Sequence, residues 1–180
     1  MGLYRYAHGE ADEKKVARAQ GYDFDASYKD LTQVCGAIRG KPLLEAKKIL
    51  ADAIDEVKAI PYKRFSTGMG HRGNLGGRKG RYPKKECRII VGLLKNAEAN
   101  AVFKGMDKSK LWVKSAVAYK QNVFRRYRKF WVGGAILGYG KQATWANYVT
   151  ARAEVTLEER EVKAKNRVRS KSALPTSKQV

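Results

Sequence analysis

The chain has 180 residues, 43% of them hydrophobic and 31% charged, and its 38 Lys and Arg against 17 Asp and Glu give a formal net charge of +21. That apolar share excludes full disorder, and no apolar run nears the roughly 18 residues that would span a bilayer. Two cysteines, Cys35 and Cys87, are too few for a disulfide framework or a four-cysteine zinc site, which leaves the excess positive charge and the polyanionic partner it implies as the leading fact.

In chain order, the opening stretch MGLYRYAHGE lacks the apolar run of a signal peptide, so no targeting segment is expected. Ser27 followed by Asp30 forms a cap, and Leu31, Val34, Cys35 and Ile38 fall at helical spacing. Gly40 stops this first helix. Pro42 opens a second, with a stripe of Leu43, Ala46, Leu50, Ile54 and Val57 that runs until Pro61. Residues 62–82 hold six glycines and no apolar period, which predicts a long basic loop. Pro83 opens a third helix with Cys87, Ile90, Val91, Leu94, Ala97 and Ala101 on one face and Gly105 at its end.

From Lys110 the period becomes two, with Leu111, Val113, Ser115, Val117 and Tyr119 on one side of a strand. A second β-biased run, Thr144 to Val155, returns after glycine-marked residues 133–140. These runs predict a hairpin over about 110–156 whose base packs on the helices and whose distal part, near Val123 to Lys141, projects by roughly 35 Å at about 3.3 Å per residue. Residues 157–180 read as a basic, flexible tail. The expected fold is α+β: one domain, residues 1–156, with three helices packed on a small antiparallel sheet, a long protruding β-hairpin and a basic loop. Few apolar residues fix the hairpin or loop 62–82, so both are expected to be mobile before a partner binds.

The charge is segregated. Residues 1–60 sum to zero, 61–88 carry +8, 89–103 are neutral, 104–142 carry +9, 143–156 are neutral and the tail carries +4. Blocks of cations alternating with neutral segments describe a folded body with electrostatic footprints. In the first block, Lys63, Arg64, His71, Arg72, Arg78, Lys79, Arg81, Tyr82, Lys84 and Lys85 are interspersed with glycines that let backbone approach phosphates closely. In the second, Lys120, Arg125, Arg126, Tyr127, Arg128, Lys129 and Lys141 flank the aromatics Tyr119, Phe124, Phe130 and Trp131. Aromatics among cations suit irregular RNA, whose splayed bases stack.

Other constellations fail on context. Gly68-Met69-Gly70-His71-Arg72-Gly73 matches a dinucleotide fingerprint, but a helix precedes it and no acidic residue follows at the required distance. The histidines His8 and His71, with two helix-face cysteines, offer no zinc-ligand spacing. Asp23 and Asp25 precede a helix start and suit turn or capping duty better than a shared metal. No nucleophile, base or metal site can be assembled, so neither enzyme activity nor a cofactor is expected.

Several motifs together carry a family resemblance: Lys15-Val16-Ala17-Arg18-Ala19, Ile38-Arg39-Gly40, Pro61-Tyr62-Lys63-Arg64-Phe65, Gly70-His71-Arg72, Gly80-Arg81-Tyr82-Pro83-Lys84-Lys85, Leu93-Leu94-Lys95-Asn96-Ala97-Glu98-Ala99-Asn100-Ala101 and Lys104-Gly105-Met106-Asp107. In this order, over residues 13–154, they resemble the archaeal and eukaryotic branch of the large-subunit ribosomal protein family numbered twenty-two in bacteria and seventeen in eukaryotes. The resemblance implies a structural protein of the cytoplasmic ribosome that binds large-subunit ribosomal RNA, touches neighbouring large-subunit proteins, supports assembly and extends its hairpin to the wall of the nascent-peptide exit tunnel. Its partners would be that RNA, those proteins and the nascent polypeptide, with no membrane and no DNA. The tip departs from the family pattern: where an arginine-rich turn is usual, Phe130, Trp131, Val132, Gly133 and Gly134 stand at the expected tunnel wall. The alternative function is a non-ribosomal RNA chaperone or general nucleic-acid-binding protein, which would bind generic duplex as well as folded ribosomal RNA.

Overall fold

In the computed structural model, the described residues are 6–7, 15–124 and 148–160. The predicted hairpin tip and its flanks, residues 125–147, and most of the predicted tail, residues 161–180, lie outside them.

The elements are α+β. A three-stranded antiparallel sheet has the order β1-β5-β4, with β1 at Val16–Phe24, β4 at Leu111–Phe124 and β5 at Tyr148–Glu159. Three helices, α1 (Tyr28–Ile38), α2 (Leu43–Ile54) and α3 (Lys84–Phe103), cover one face of it. A two-stranded ribbon pairs β2 (Ile60–Pro61) with β3 (Gly80–Arg81).

α1 begins as its sequence dictates: the Ser27 hydroxyl accepts a hydrogen bond from the Asp30 amide, satisfying one orphan N–H of the first turn. Its buried face is Leu31, Val34, Cys35 and Ile38. α2 is shorter than its apolar stripe implied. It ends at Ile54, Glu56 turns left-handed at φ 61°, and Val57 is 68% exposed rather than buried, with Ala53 taking the core position. The Asp55-Glu56 pair favours a turn there more than one valine favours another helical turn. α3 follows Pro83 and buries Cys87, Ile90, Leu93, Leu94, Ala97 and Ala101. α1 packs chiefly on β4, α3 chiefly on β1, and α2 against α3.

β1 was not evident in the sequence. Its core-facing residues are Ala17 and Ala19, and small residues carry almost no strand signal of their own. Gly21 is required beside them: a Cβ there would sit 2.2 Å from the Phe24 ring, which folds back over the strand at an irregularity between Gly21 and Phe24.

β4 keeps strand spacing, but its inward face changes side. Leu111 and Val113 are buried, then Lys114 bulges out of register and Ala116 becomes the next buried residue. The expected inward series through Ser115, Val117 and Tyr119 therefore holds only as far as Val113. The outer edge of β4 is covered where it joins the body: the Gly40 and Val113 amides bond the Val113 and Lys41 carbonyls, and Arg39 donates to the Ala116 carbonyl at 2.7 Å. Such covering blunts an edge that would otherwise recruit another strand.

β5 is central, and it corrects the predicted tail boundary. It runs to Glu159, and Leu157 is wholly buried, so residues 157–159 belong to the sheet. The three acidic residues after Val155 masked this strand end, because only Leu157 faces the core. On the opposite sheet face, Arg152 pairs with Glu154, donates to Gln20 and stacks on Tyr22. The Ala7 amide donates to Glu154, and Arg18 stacks on Tyr6, so residues 6–7 lie across this face.

Candidate nucleic-acid interface

Two extensions from this body carry the predicted site residues. The first spans residues 62–85. It is not the featureless loop its composition suggested, because it closes on itself. The Tyr62 amide donates to the Lys79 carbonyl at 3.0 Å, Arg72 to Arg78 at 3.0 Å, and His71 bridges Lys79 as an isolated strand pair. A single helical turn, Gly73–Leu75, forms its tip, and Leu75 folds back to 7% exposure. Gly80 makes that plug possible: a Cβ there would meet Leu75 at 2.5 Å and the Ile60 carbonyl oxygen at 2.7 Å. Where the excursion leaves the body, the buried side chain of Gln33 accepts from the amides of Lys63 and Arg64. One leucine and one glutamine give no periodic signal, which is why composition read as a loop.

The excursion's side chains are staged on this frame. Arg72 Nε donates to the Gly80 carbonyl, and its guanidinium stacks 5.3 Å from the Tyr82 ring. Arg78 Nε donates to the Leu75 carbonyl, His71 Nδ1 to that of Gly77, and Asn74 donates to the Tyr82 hydroxyl at 2.9 Å. Lys63, Arg64, Arg72, Arg78 and Arg81 are exposed, with Lys79 and Tyr82 half-buried. Among the described residues, none of the six cations from Lys63 to Arg81 pairs with a carboxylate. Lys84 and Lys85 differ. Lys84 pairs with Glu56 at 2.8 Å and Lys85 with Asp25 at 2.9 Å, so these two brace the excursion against the body.

Sequence reading gave Phe65 no role, yet its backbone is left-handed, at φ 56°, a conformation costly for a bulky residue. Its ring is 39% exposed, meets Tyr28 edge-on, and carries Lys29 and Arg64 each 5.5 Å from its centroid. The only sequence signal was its place after two cations in Lys63-Arg64-Phe65.

The second extension is the hairpin. Lys120 is exposed on β4, beyond the helices. Arg125, Arg126, Tyr127, Arg128, Lys129 and Lys141, with the tip residues Phe130, Trp131, Val132, Gly133 and Gly134, lie outside the described residues. The hairpin root is gripped by the two aspartates of the turn between β1 and α1. A second bulge near Gln121 and Asn122 turns both side chains to Asp23. Asn122 and Thr150, one from each arm, donate to the Asp23 carboxylate at 2.8 and 3.1 Å, and Gln121 accepts from its amide. Tyr148 donates to Asp25 at 2.6 Å. The expectation of turn duty thus widens to a clamp that fixes the direction in which the hairpin leaves the body.

Nothing in the described residues assembles chemistry. No group of three His, Cys, Asp or Glu among them is placed to hold a metal ion, and no helix there is long and apolar enough to cross a membrane. Burial pushes the thiols of Cys35 and Cys87 up to about 12, so both are protonated and unreactive at neutral pH. Residues 68–73 precede one helical turn rather than joining a strand to a long helix, so they cannot cradle a pyrophosphate as the dinucleotide motif does.

Comparison with known proteins agrees with this picture. Residues 19–130 match the family described as ribosomal protein L22p/L17e. Large ribosomal subunit protein uL22 of Archaeoglobus fulgidus is 41% identical across 71% of this chain and 83% of its own length. That of Debaryomyces hansenii is 33% identical across 99% of this chain and 98% of its own, and that of Zea mays 35% across 76% and 82%.

Proposed function

The chain belongs to the ribosomal protein L22p/L17e family and is a structural constituent of the large subunit of the cytoplasmic ribosome rather than an enzyme; from that premise we propose that it binds ribosomal RNA through its basic excursion and hairpin shaft, supports subunit assembly, and extends the hairpin to the wall of the nascent-peptide exit tunnel. Its partners are then large-subunit ribosomal RNA, the proteins beside it and, at the tip, the nascent polypeptide.

The observation that carries the RNA reading is the contrast in charge pairing. On the body, Lys41, Lys47, Lys110 and Lys114 each face a carboxylate. On the excursion, six cations have none, and two arginines are held by bonds from Nε to the loop's own carbonyls. Arginine held this way presents its terminal nitrogens at small ordering cost, which suits bidentate contact with phosphate oxygens. The glycines between them let phosphates approach the backbone.

The reach of the hairpin supports the tunnel reading. β4 passes beyond the helices from about Tyr119, and the Asp23–Asp25 clamp holds both arms at that point. The test places a photo-crosslinking amino acid at Phe130 in translating ribosomes that hold a stalled, labelled nascent chain. Light-dependent transfer of label to this protein is expected. Intact incorporation with no transfer at any nascent-chain length rules out the tunnel-wall reading.

A further inference from the structure

At the far end of α3 from the excursion, an open cleft of about 320 Å³ lies between the end of that helix and the start of β1. Its lining is Tyr6, Val16, Arg18, Asn100, Phe103 and Lys104: two aromatics, two cations, one amide and no carboxylate. We infer that this cleft takes one unstacked base of ribosomal RNA, laid on the Phe103 ring with its phosphates toward Arg18 and Lys104. This inference rests on the RNA-binding reading above and adds to it a second, separate contact, since the 20 residues of α3 set the cleft about 30 Å from the excursion.

Four features point to this occupant. Phe103 is 92% exposed beside the half-exposed Val102, so the helix ends in an apolar surface that its own fold leaves uncovered. The walls are already fixed: Asn100 donates to the Arg18 carbonyl at 2.8 Å, and Lys104 donates to the Val16 carbonyl at 2.9 Å. The Asn100 amide thereby turns its oxygen outward as an acceptor able to read the amino edge of a base. Arg18 stacks 5.4 Å from the Tyr6 ring, and its Nη2 is buried without a hydrogen-bond partner among the described residues. A buried unmet donor is costly, and a base carbonyl or phosphate oxygen entering the cleft satisfies it. Flat aromatic, cation and amide are the parts with which proteins hold splayed bases, and the volume lies at the small-ligand end of the usual range of about 300–1,000 Å³. A peptide would use the same aromatic surface, but cations without a carboxylate favour the polyanion.

The test uses the full chain and transcribed large-subunit ribosomal RNA. Phe103→Ala is expected to weaken binding about tenfold, the weight of one stacked base, while Phe103→Trp retains it. Because stacking releases no counterions, the salt slope stays that of the native chain, and the exposed ring leaves the melting temperature unchanged. In isolated subunits irradiated with ultraviolet light, the tryptic peptide 96–104 is expected to carry a nucleotide adduct. Native affinity in Phe103→Ala, or adducts on peptides of the excursion but not on this one, overturns the base cleft and leaves the RNA reading standing. A crosslink from Phe103 to another protein overturns it in favour of a peptide occupant. Failure of the native chain to bind the RNA at all overturns both readings.

Discussion

Asp23 shows how much of this protein rests on single side chains placed outside any apolar pattern. One carboxylate, on a left-handed residue at φ 51°, collects donors from both arms of the hairpin. Asp and Asn tolerate that backbone where alanine is strained, and only the charged acceptor holds both donors firmly. Asp23→Ala is therefore expected to cost about 1–3 kcal/mol, seen as a lower midpoint in urea, with Asp23→Asn between it and the native chain. An unchanged midpoint would show that the clamp adds nothing to stability. The two cysteines give a pH signature. Their folded pKa of about 12 exceeds the ordinary value near 8.5, so between these limits the folded state holds more protons than the unfolded one. Stability therefore falls as pH rises through this window and is insensitive to these thiols below it. Unfolding midpoints at pH 8 and pH 10, for the native chain and for Cys35→Ala with Cys87→Ala, measure the effect; the double variant has the shallower dependence.

At the scale of elements, the excursion makes the sharpest demand on packing. Leu75 is the one side chain of its tip that is buried, and Gly80 is the space it fills. Leu75→Ala is expected to abolish amide protection across residues 71–81 while α1 and α3 keep theirs, because the plug anchors a ribbon of only two residues per strand. Protection that survives would mean the backbone bonds alone suffice. The same element marks where sequence reading stopped. α1 and α3 were legible with their caps and buried faces, since Ser27, Pro83 and 3.6-residue periodicity are local signals. β1, by contrast, buries alanines and a glycine, and its evidence lies in β5, more than 130 residues away. The side switch of β4 at Lys114 depends on a bulge, which strict alternation does not foresee. Among candidate site residues, the cations were legible from composition; what charge counts did not show was which of them pair with carboxylates. Lys84 and Lys85 separate from their neighbours only once Glu56 and Asp25 are in place. Phe65 and Phe103 were overlooked because a single aromatic in sequence carries no sign of exposure or backbone strain.

Over the whole molecule, charge and fold divide the labour. A body whose first 60 residues are electrically neutral buries one core, and the cations gather on what extends from it. Such a body folds without repulsion from its own footprint, and the extensions remain available to an acidic partner. It follows that stability and RNA affinity should respond to different substitutions. Arg125→Ala with Arg126→Ala and Arg128→Ala, on the hairpin, is expected to weaken assembly into subunits while leaving the melting temperature of the free chain nearly unchanged; loss of folding would make those arginines structural. The most direct check of the RNA footprint is the salt dependence of binding to large-subunit ribosomal RNA, measured for the native chain and for Lys63→Ala with Lys79→Ala and Arg81→Ala. Each phosphate contact contributes roughly 0.7–0.9 to the slope of log affinity against log salt, so the triple variant should lower the slope by about 2–3 at unchanged melting temperature. A slope identical to that of the native chain would contradict the account, because the unpaired cations of the excursion would then touch no phosphate.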